Sequence, residues 1–316
     1  MTQAIRVATA NIEAALDEVR EVVVRTPTIR FDSGAGHEVA LKLENLQRLG
    51  AFKIRGAWNR MSHLTPEERH RGVTTVSSGN HGLAVAWSAR RLGLPCLVRV
   101  PEGASGRKVE AIRGTGAELS YLSREHLVRA HWEEGWRAWP ETYIPPFADP
   151  AIIAGQGTVG WELAEDAPDV RSVLVPVGGG GLVSGIAIAV KHLLPKARVF
   201  GVQAEGAAPL PAVLKTNQAS RVDRPRTIAD GIQIGLILPT MVDILVRSLD
   251  GCLVVSDDDI RLAMRRLALE ARIVAEPAGA AAFAACQRYG GTLEGPVAVV
   301  ISGGNVTPEA LAGVLG

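Results

Sequence analysis

The sequence predicts an α/β protein: two open, twisted, mostly parallel sheets flanked by helices. Three observations lead there. Short β-type segments alternate with helical ones along most of the chain, the arrangement that builds parallel sheets through helical crossovers. Two of those segments, 173–176 and 297–302, are apolar almost throughout, as strands covered on both faces are. Finally, 316 residues exceed the size at which a single core keeps growing, and Pro145-Pro146 interrupts the pattern mid-chain, which puts a boundary between two units near 143–148.

Taken in order, residues 4–22 space their apolar side chains as a helix does. The first six residues, Met-Thr-Gln-Ala-Ile-Arg, read as an amphipathic helix and not as a signal peptide. Thr26-Pro27-Thr28 breaks that pattern. Segment 39–44 alternates like a strand, and a helix is expected from about Phe52. Three strand and helix units follow: 73–76 with a helix from about Asn80, 96–100 with a helix from about Ser105, and 118–122 with a helix through Trp132 and Trp136. Beyond the prolines come a helix near 151–165, a strand at 173–176, a helix from Leu182 and a strand at 198–203. Residues 205–250 are less regular. Helices near 257–271 and 277–289, the strand at 297–302 and a short terminal helix complete the chain. Ser256 followed by Asp257-Asp258-Asp259 reads as a helix start, with acidic groups at the positive end of its dipole. Trp132, Trp136 and Trp139 face either a partner or the core, with core packing the favoured reading.

Composition excludes several classes of function. A formal net charge of +1 supplies no basic excess for neutralising phosphates, so a general nucleic-acid binder is not expected. No apolar run reaches the length of a bilayer span. Cys96, Cys252 and Cys286 are odd in number, far apart and without metal-ligand spacing, and read as reduced core residues of a cytoplasmic protein.

The candidate site centres on Lys53, in Leu-Gly-Ala-Phe-Lys-Ile-Arg-Gly-Ala. Lysine is scarce, with only Lys42, Lys53, Lys108, Lys191, Lys196 and Lys215 among 34 basic residues. Its neighbours are small or apolar, a setting that disfavours the ammonium form and frees the amine as nucleophile or base. In open α/β sheets, ligands sit where strands end and helices begin, and three such turns are rich in small and polar residues. Ser77-Ser78-Gly79-Asn80-His81-Gly82 suits a carboxylate, with two hydroxyls, an amide and free backbone N–H groups. Gly178-Gly179-Gly180-Gly181-Leu182 lets the backbone wrap an anion at a helix N-terminus, where a phosphate is the natural guest. Ser302-Gly303-Gly304-Asn305 follows the last strand. Each glycine-rich turn taken singly is equally explained by tight-turn geometry.

These motifs, together with Ala154-Gly155-Gln156-Gly157-Thr158, Thr227-Ile228-Ala229-Asp230-Gly231 and Glu276-Pro277-Ala278-Gly279, occur in an order that resembles the threonine dehydratase and serine racemase family. That family belongs to the tryptophan synthase β-like, fold type II enzymes. The resemblance runs from about residue 15 to 310. It implies pyridoxal 5′-phosphate as cofactor, attached to Lys53 as an imine. It implies a large cofactor-binding domain, 1–68 and 146–316, and a small mobile domain, 69–145, carrying the substrate loop. Gly178, Gly179, Gly180, Gly181 and Leu182 would hold the cofactor phosphate, Asn80 the ring hydroxyl, Phe52 the ring face and Ser302 the ring nitrogen. A neutral hydroxyl at that last position makes the ring a weaker electron sink, which favours prompt loss of a β-substituent. Ser77, Ser78, Gly79, Asn80 and His81 would hold the substrate, with Asp230 and Glu276 around the cofactor.

The implied activity is conversion of L-threonine or L-serine, through an aminoacrylate, to a 2-oxo acid and ammonia. The same resemblance leaves open serine racemisation, dehydration of threo-3-hydroxyaspartate and elimination in hydroxyectoine or ectoine breakdown. Outside the enzymes, a regulatory module binding a nucleotide on the glycine tetrad stays open too. Ser78 is either a turn hydroxyl capping the next helix or, as in racemase-like members, the acid/base opposite the lysine. Racemases place a divalent cation with a glutamate and an aspartate after the strand ending near 203. Gln203 and Pro209 stand there, which argues against such a metal site. A homodimer or homotetramer is expected by analogy with the family.

Overall fold

The computed structural model describes residues 4–32, 38–104 and 106–316. Its larger sheet has six strands in the order β1 (Thr28–Asp32), β2 (Glu38–Leu43), β12 (Val297–Ile301), β7 (Ser172–Pro176), β8 (Arg198–Ala204) and β11 (Gly251–Val255). All neighbours run parallel except β1, which pairs antiparallel with β2. The smaller sheet, parallel throughout, is ordered β5 (Glu118–Leu122), β4 (Cys96–Pro101), β3 (Val73–Val76), β6 (Thr142–Tyr143). A short antiparallel pair joins β9 (Ser220–Arg221) to β10 (Leu236–Ile237). The two mostly parallel sheets are thus those the alternation implied, and β7 and β12 are buried at every position.

Helices cover both faces of the larger sheet. One core packs its strands against α7 (Pro150–Asp166), α8 (Gly181–Leu193) and α10 (Pro239–Ser248); the opposite core uses α11 (Asp257–Arg266) and α12 (Pro277–Tyr289). Two further clusters tie α2 (Lys53–Ser62), α4 (Asn80–Leu92) and α5 (Arg107–Gly114) to the smaller sheet. The remaining helices are α1 (Thr9–Val19), α3 (Pro66–His70), α6 (Arg124–Trp132), α9 (Leu210–Thr216) and α13 (Pro308–Leu315). Ser256 caps α11 through the Asp259 N–H, and Asp259 reaches back to the Ser256 N–H in a reciprocal box.

Several expectations need correcting. The N-terminal helix begins only at Thr9, because the Ile5 N–H is drawn to the Thr240 carbonyl and the Asn11 side chain caps the Ala8 N–H. Residues 1–3 lie outside the described part. The helix expected through Trp136 stops at Trp132, where Glu134 turns left-handed (φ 53°) and a 3-10 turn follows. Trp136 stacks on Tyr143 and Trp139 meets the same ring edge-on, a half-buried cluster lining a cavity of about 730 Å³. Within 205–250 the structure adds α9 and α10, and β11 follows immediately.

Candidate active site

Register brings the turns together. β7 and β12 are neighbours with Val299 opposite Leu174 and run parallel, so their carboxyl ends open on one side. There β7 leads into Gly178–Gly181 and β12 into Ser302-Gly303. Lys53 arrives through an isolated bridge between Ala51 and Gly303 and through the Phe52 N–H, which donates to the Ser302 carbonyl at 3.2 Å. α2 then starts at Lys53 itself.

The Lys53 ammonium donates to the Pro146 carbonyl at 2.8 Å and sits 5.1 Å from the Phe52 ring centre. Burial pulls its pKa from 10.5 down to about 8, so an appreciable share of the amine is neutral near pH 7. The next residue, Phe147, is buried and presses on the glycine turn: a side chain at Gly179 would collide with its ring. Gly180 holds φ +98° and precedes α8, whose first-turn N–H groups have no acceptor within the helix. Lys53 and an anion-accepting helix start therefore flank the same dipeptide, Pro146-Phe147. A nucleophilic amine on one side and a phosphate cradle on the other are what an aldehyde cofactor with a phosphate tail requires, and these residues fit it. Ser302 is buried beside them.

The smaller sheet contributes the start of α4. Asn80 donates through Nδ2 to Glu276 Oε1 at 2.6 Å, and its Oδ1 accepts from Asn305 Nδ2 at 2.9 Å. Glu276 immediately precedes α12 and lies 3.4 Å from Lys108 Nζ, which is 2.8 Å from Asp230. Burial, reinforced by the like charge of Asp230, holds the Glu276 carboxyl above its ordinary pKa although Lys108 and Asn80 oppose this. For Lys108 burial works against the charge, but its two carboxylates outweigh it and raise the pKa. Ser77 Oγ accepts from the Gly79 N–H, whereas the half-buried Ser78 hydroxyl takes no partner among the described residues. The His81 ring is buried and engaged by the Ile144 carbonyl at 3.1 Å, so what His81 offers a carboxylate is its backbone N–H.

Three groups were given no role by the sequence reading. Lys108 is one, and Asn305, read there only as the end of the Ser302 turn, is another. The third is a buried charge cluster under α2: Arg55 is forked by Glu44 (2.7 and 2.9 Å) and by Glu162 (2.7 and 2.9 Å) and also meets Thr158. Lys42 adds a second cation to Glu162 at 2.7 Å. The available signal was a charged Arg55 on a segment otherwise small and apolar, two positions after Lys53. Gln203 is held between backbone groups, donating to the Val177 carbonyl and accepting from the Leu210 N–H. Among the described residues no group of three or more His, Cys, Asp or Glu is placed to hold a metal ion.

The family of pyridoxal-phosphate-dependent enzymes matches residues 19–303. The chain belongs to that family. It is 39% identical over 303 residues to an L-threonine ammonia-lyase of Thermotoga maritima, covering 94% of this chain and 75% of that protein. A serine racemase of Schizosaccharomyces pombe is 35% identical, with 96% and 95% covered. Among solved structures, a threonine deaminase of T.th. superposes with a TM-score of 0.86 at 36% identity, covering 95% of this chain and 99% of that one. Fold type II architecture and pyridoxal 5′-phosphate as cofactor follow from membership.

Proposed function

We propose that the protein is an ammonia-lyase of β-hydroxy amino acids that converts L-threonine or L-serine to a 2-oxo acid and ammonia. The observation that carries this reading is the desolvated Lys53 amine, held beside the glycine turn by Pro146-Phe147. Bound there, pyridoxal phosphate supplies an electron sink that acidifies the α-carbon proton of an attached amino acid. Each further step belongs to the chain. The N–H groups opening α8 hold the phosphate, with Gly178, Gly179, Gly180, Gly181 and Leu182 at the contact. Those opening α4, with Ser77, Gly79 and Asn80, hold the substrate carboxylate. The freed Lys53 amine removes the α-proton, a base role suited to a pKa near working pH. The β-hydroxyl leaves as water, and hydrolysis returns one water as ammonia departs. Phe52 would cover the face of the bound ring, and Ser302 would be the partner of its nitrogen. We assign 1–68 and 146–316 to the cofactor lobe and 69–145 to a smaller lobe whose closure excludes water.

Support also comes from the relatives named as threonine ammonia-lyase and threonine deaminase. The test is incubation of the purified protein with L-threonine, L-serine, D-serine and threo-3-hydroxyaspartate, measuring 2-oxo acid and enantiomer ratio together. Oxo acid from threonine or serine is expected; its absence overturns the reading. Ser78 favours one second reading: its hydroxyl, on the substrate loop and without a partner among the described residues, would serve as the proton donor opposite Lys53. D-serine that forms in the parent enzyme and disappears in Ser78→Ala would establish it. Three free cysteines support a reducing, cytoplasmic setting. No helix among the described residues is long and apolar enough to cross a membrane. A homodimer or homotetramer is our reading of the assembly, and light scattering after size exclusion checks it.

A further inference from the structure

One ammonium from the unit built on the smaller sheet reaches two carboxylates of the other unit. Lys108, in the first turn of α5, contacts Asp230 at 2.8 Å and Glu276 at 3.4 Å. Its side chain is 24% exposed, against 57% for Asp230 and 3% for Glu276. From Glu276 the contacts continue to Asn80 and from Asn80 to Asn305, so a chain of polar contacts runs from α5 past the start of α12 to the start of α4.

We propose that Lys108 is a positioning residue: by clamping Asp230 and Glu276 it holds the smaller lobe over the site, opposes protonation of Glu276 and keeps that carboxyl aimed at the Asn80 amide. The reason is the burial of Glu276. A buried carboxylate keeps its charge only while a cation touches it, and the charged groups facing Glu276 are Lys108 and, with the opposing sign, Asp230. If α5 swings outward, Glu276 loses its counter-ion and takes up a proton. A protonated carboxyl donates as well as accepts, so the Asn80 amide is no longer fixed in one orientation. Closure of the lobe and orientation of Asn80 are then a single event. This rests on the reading that Asn80 faces the cofactor. An exposed ion pair of no further consequence would contribute little and leave the cofactor unaffected.

The test uses the holoenzyme with Lys108→Met, Lys108→Arg and Asp230→Asn. It reads the near-visible absorbance of the bound cofactor against pH, then kcat and KM for the best amino-acid substrate. Lys108→Met is expected to raise the midpoint of the absorbance titration by about one pH unit and to raise KM about tenfold, with a smaller fall in kcat. Lys108→Arg, which keeps the charge, should return both to within about threefold of the parent. Asp230→Asn removes the shorter of the two contacts that hold Lys108 and should raise KM, by less than Lys108→Met does. An unmoved midpoint in Lys108→Met, or an unchanged KM in Asp230→Asn, overturns the proposal. Asp230 is exposed, so its variant keeps the test alive if Lys108→Met does not fold. Absorbance needs no turnover. A silent oxo-acid assay with the spectral shifts intact would therefore count against the substrate reading alone.

Discussion

Lys53 owes its chemistry to loss of solvent, since its contact is a neutral carbonyl and not a carboxylate that would fix its charge. In the cofactor-free protein the amine should be mostly protonated below pH about 8 and free above it. Recombination of apoenzyme with pyridoxal phosphate is therefore expected to speed up with pH and level off above about 8. A rate still climbing toward 10.5, the ordinary lysine value, would contradict this. The sign for stability follows as well. Between those two values the unfolded chain holds a proton that the folded apoenzyme has released, so apoenzyme stability rises with pH across that window. Arg55, two residues on, works by the opposite principle, as a fully buried charge matched by two carboxylates. Arg55→Met should lower stability by about 3–5 kcal/mol in urea unfolding, because it strands Glu44 and Glu162 without a shared cation. Lysine cannot replace the two-sided fork, so Arg55→Lys should recover only part of that loss.

The decisive elements are strand ends followed by helix starts, and these were legible in the sequence because their signals are local. Apolar runs gave β7 and β12, and glycine or polar turns gave the starts of α4 and α8. Gly180 shows the link between turn and function: its φ of +98° suits glycine alone. Gly180→Ala should weaken cofactor retention about tenfold, the counterpart of ~1–2 kcal/mol of backbone strain, as read by equilibrium titration of the cofactor absorbance. Retention unchanged within twofold would show that the turn does not hold the phosphate. Elements set by tertiary partners were not legible. β1 follows a proline break and exists through its pairing with β2. β11 is half-exposed along most of its length and is fixed by its register on β8. Residues 4–8, expected to be helical, lie outside the helix because Thr240 offers Ile5 a backbone acceptor.

At the scale of the molecule, the two sheet-built units meet where Asn80, at the start of α4, contacts Glu276 and Asn305, and the candidate site lies at that meeting. The motifs along the chain marked the turns that the fold brings together, whereas the charged groups beside them stayed hidden. Lys108 meets Asp230 across 122 positions and Arg55 meets Glu162 across 107, separations at which no local pattern marks a pair. The central claim is that Lys53 carries the cofactor while the glycine turn grips its phosphate. Borohydride reduction of the yellow holoenzyme followed by peptide mapping tests it most directly. Bleaching and a pyridoxyl group on Lys53 alone are expected, both absent in Lys53→Ala. A colourless protein, or the label on any other lysine, would contradict it.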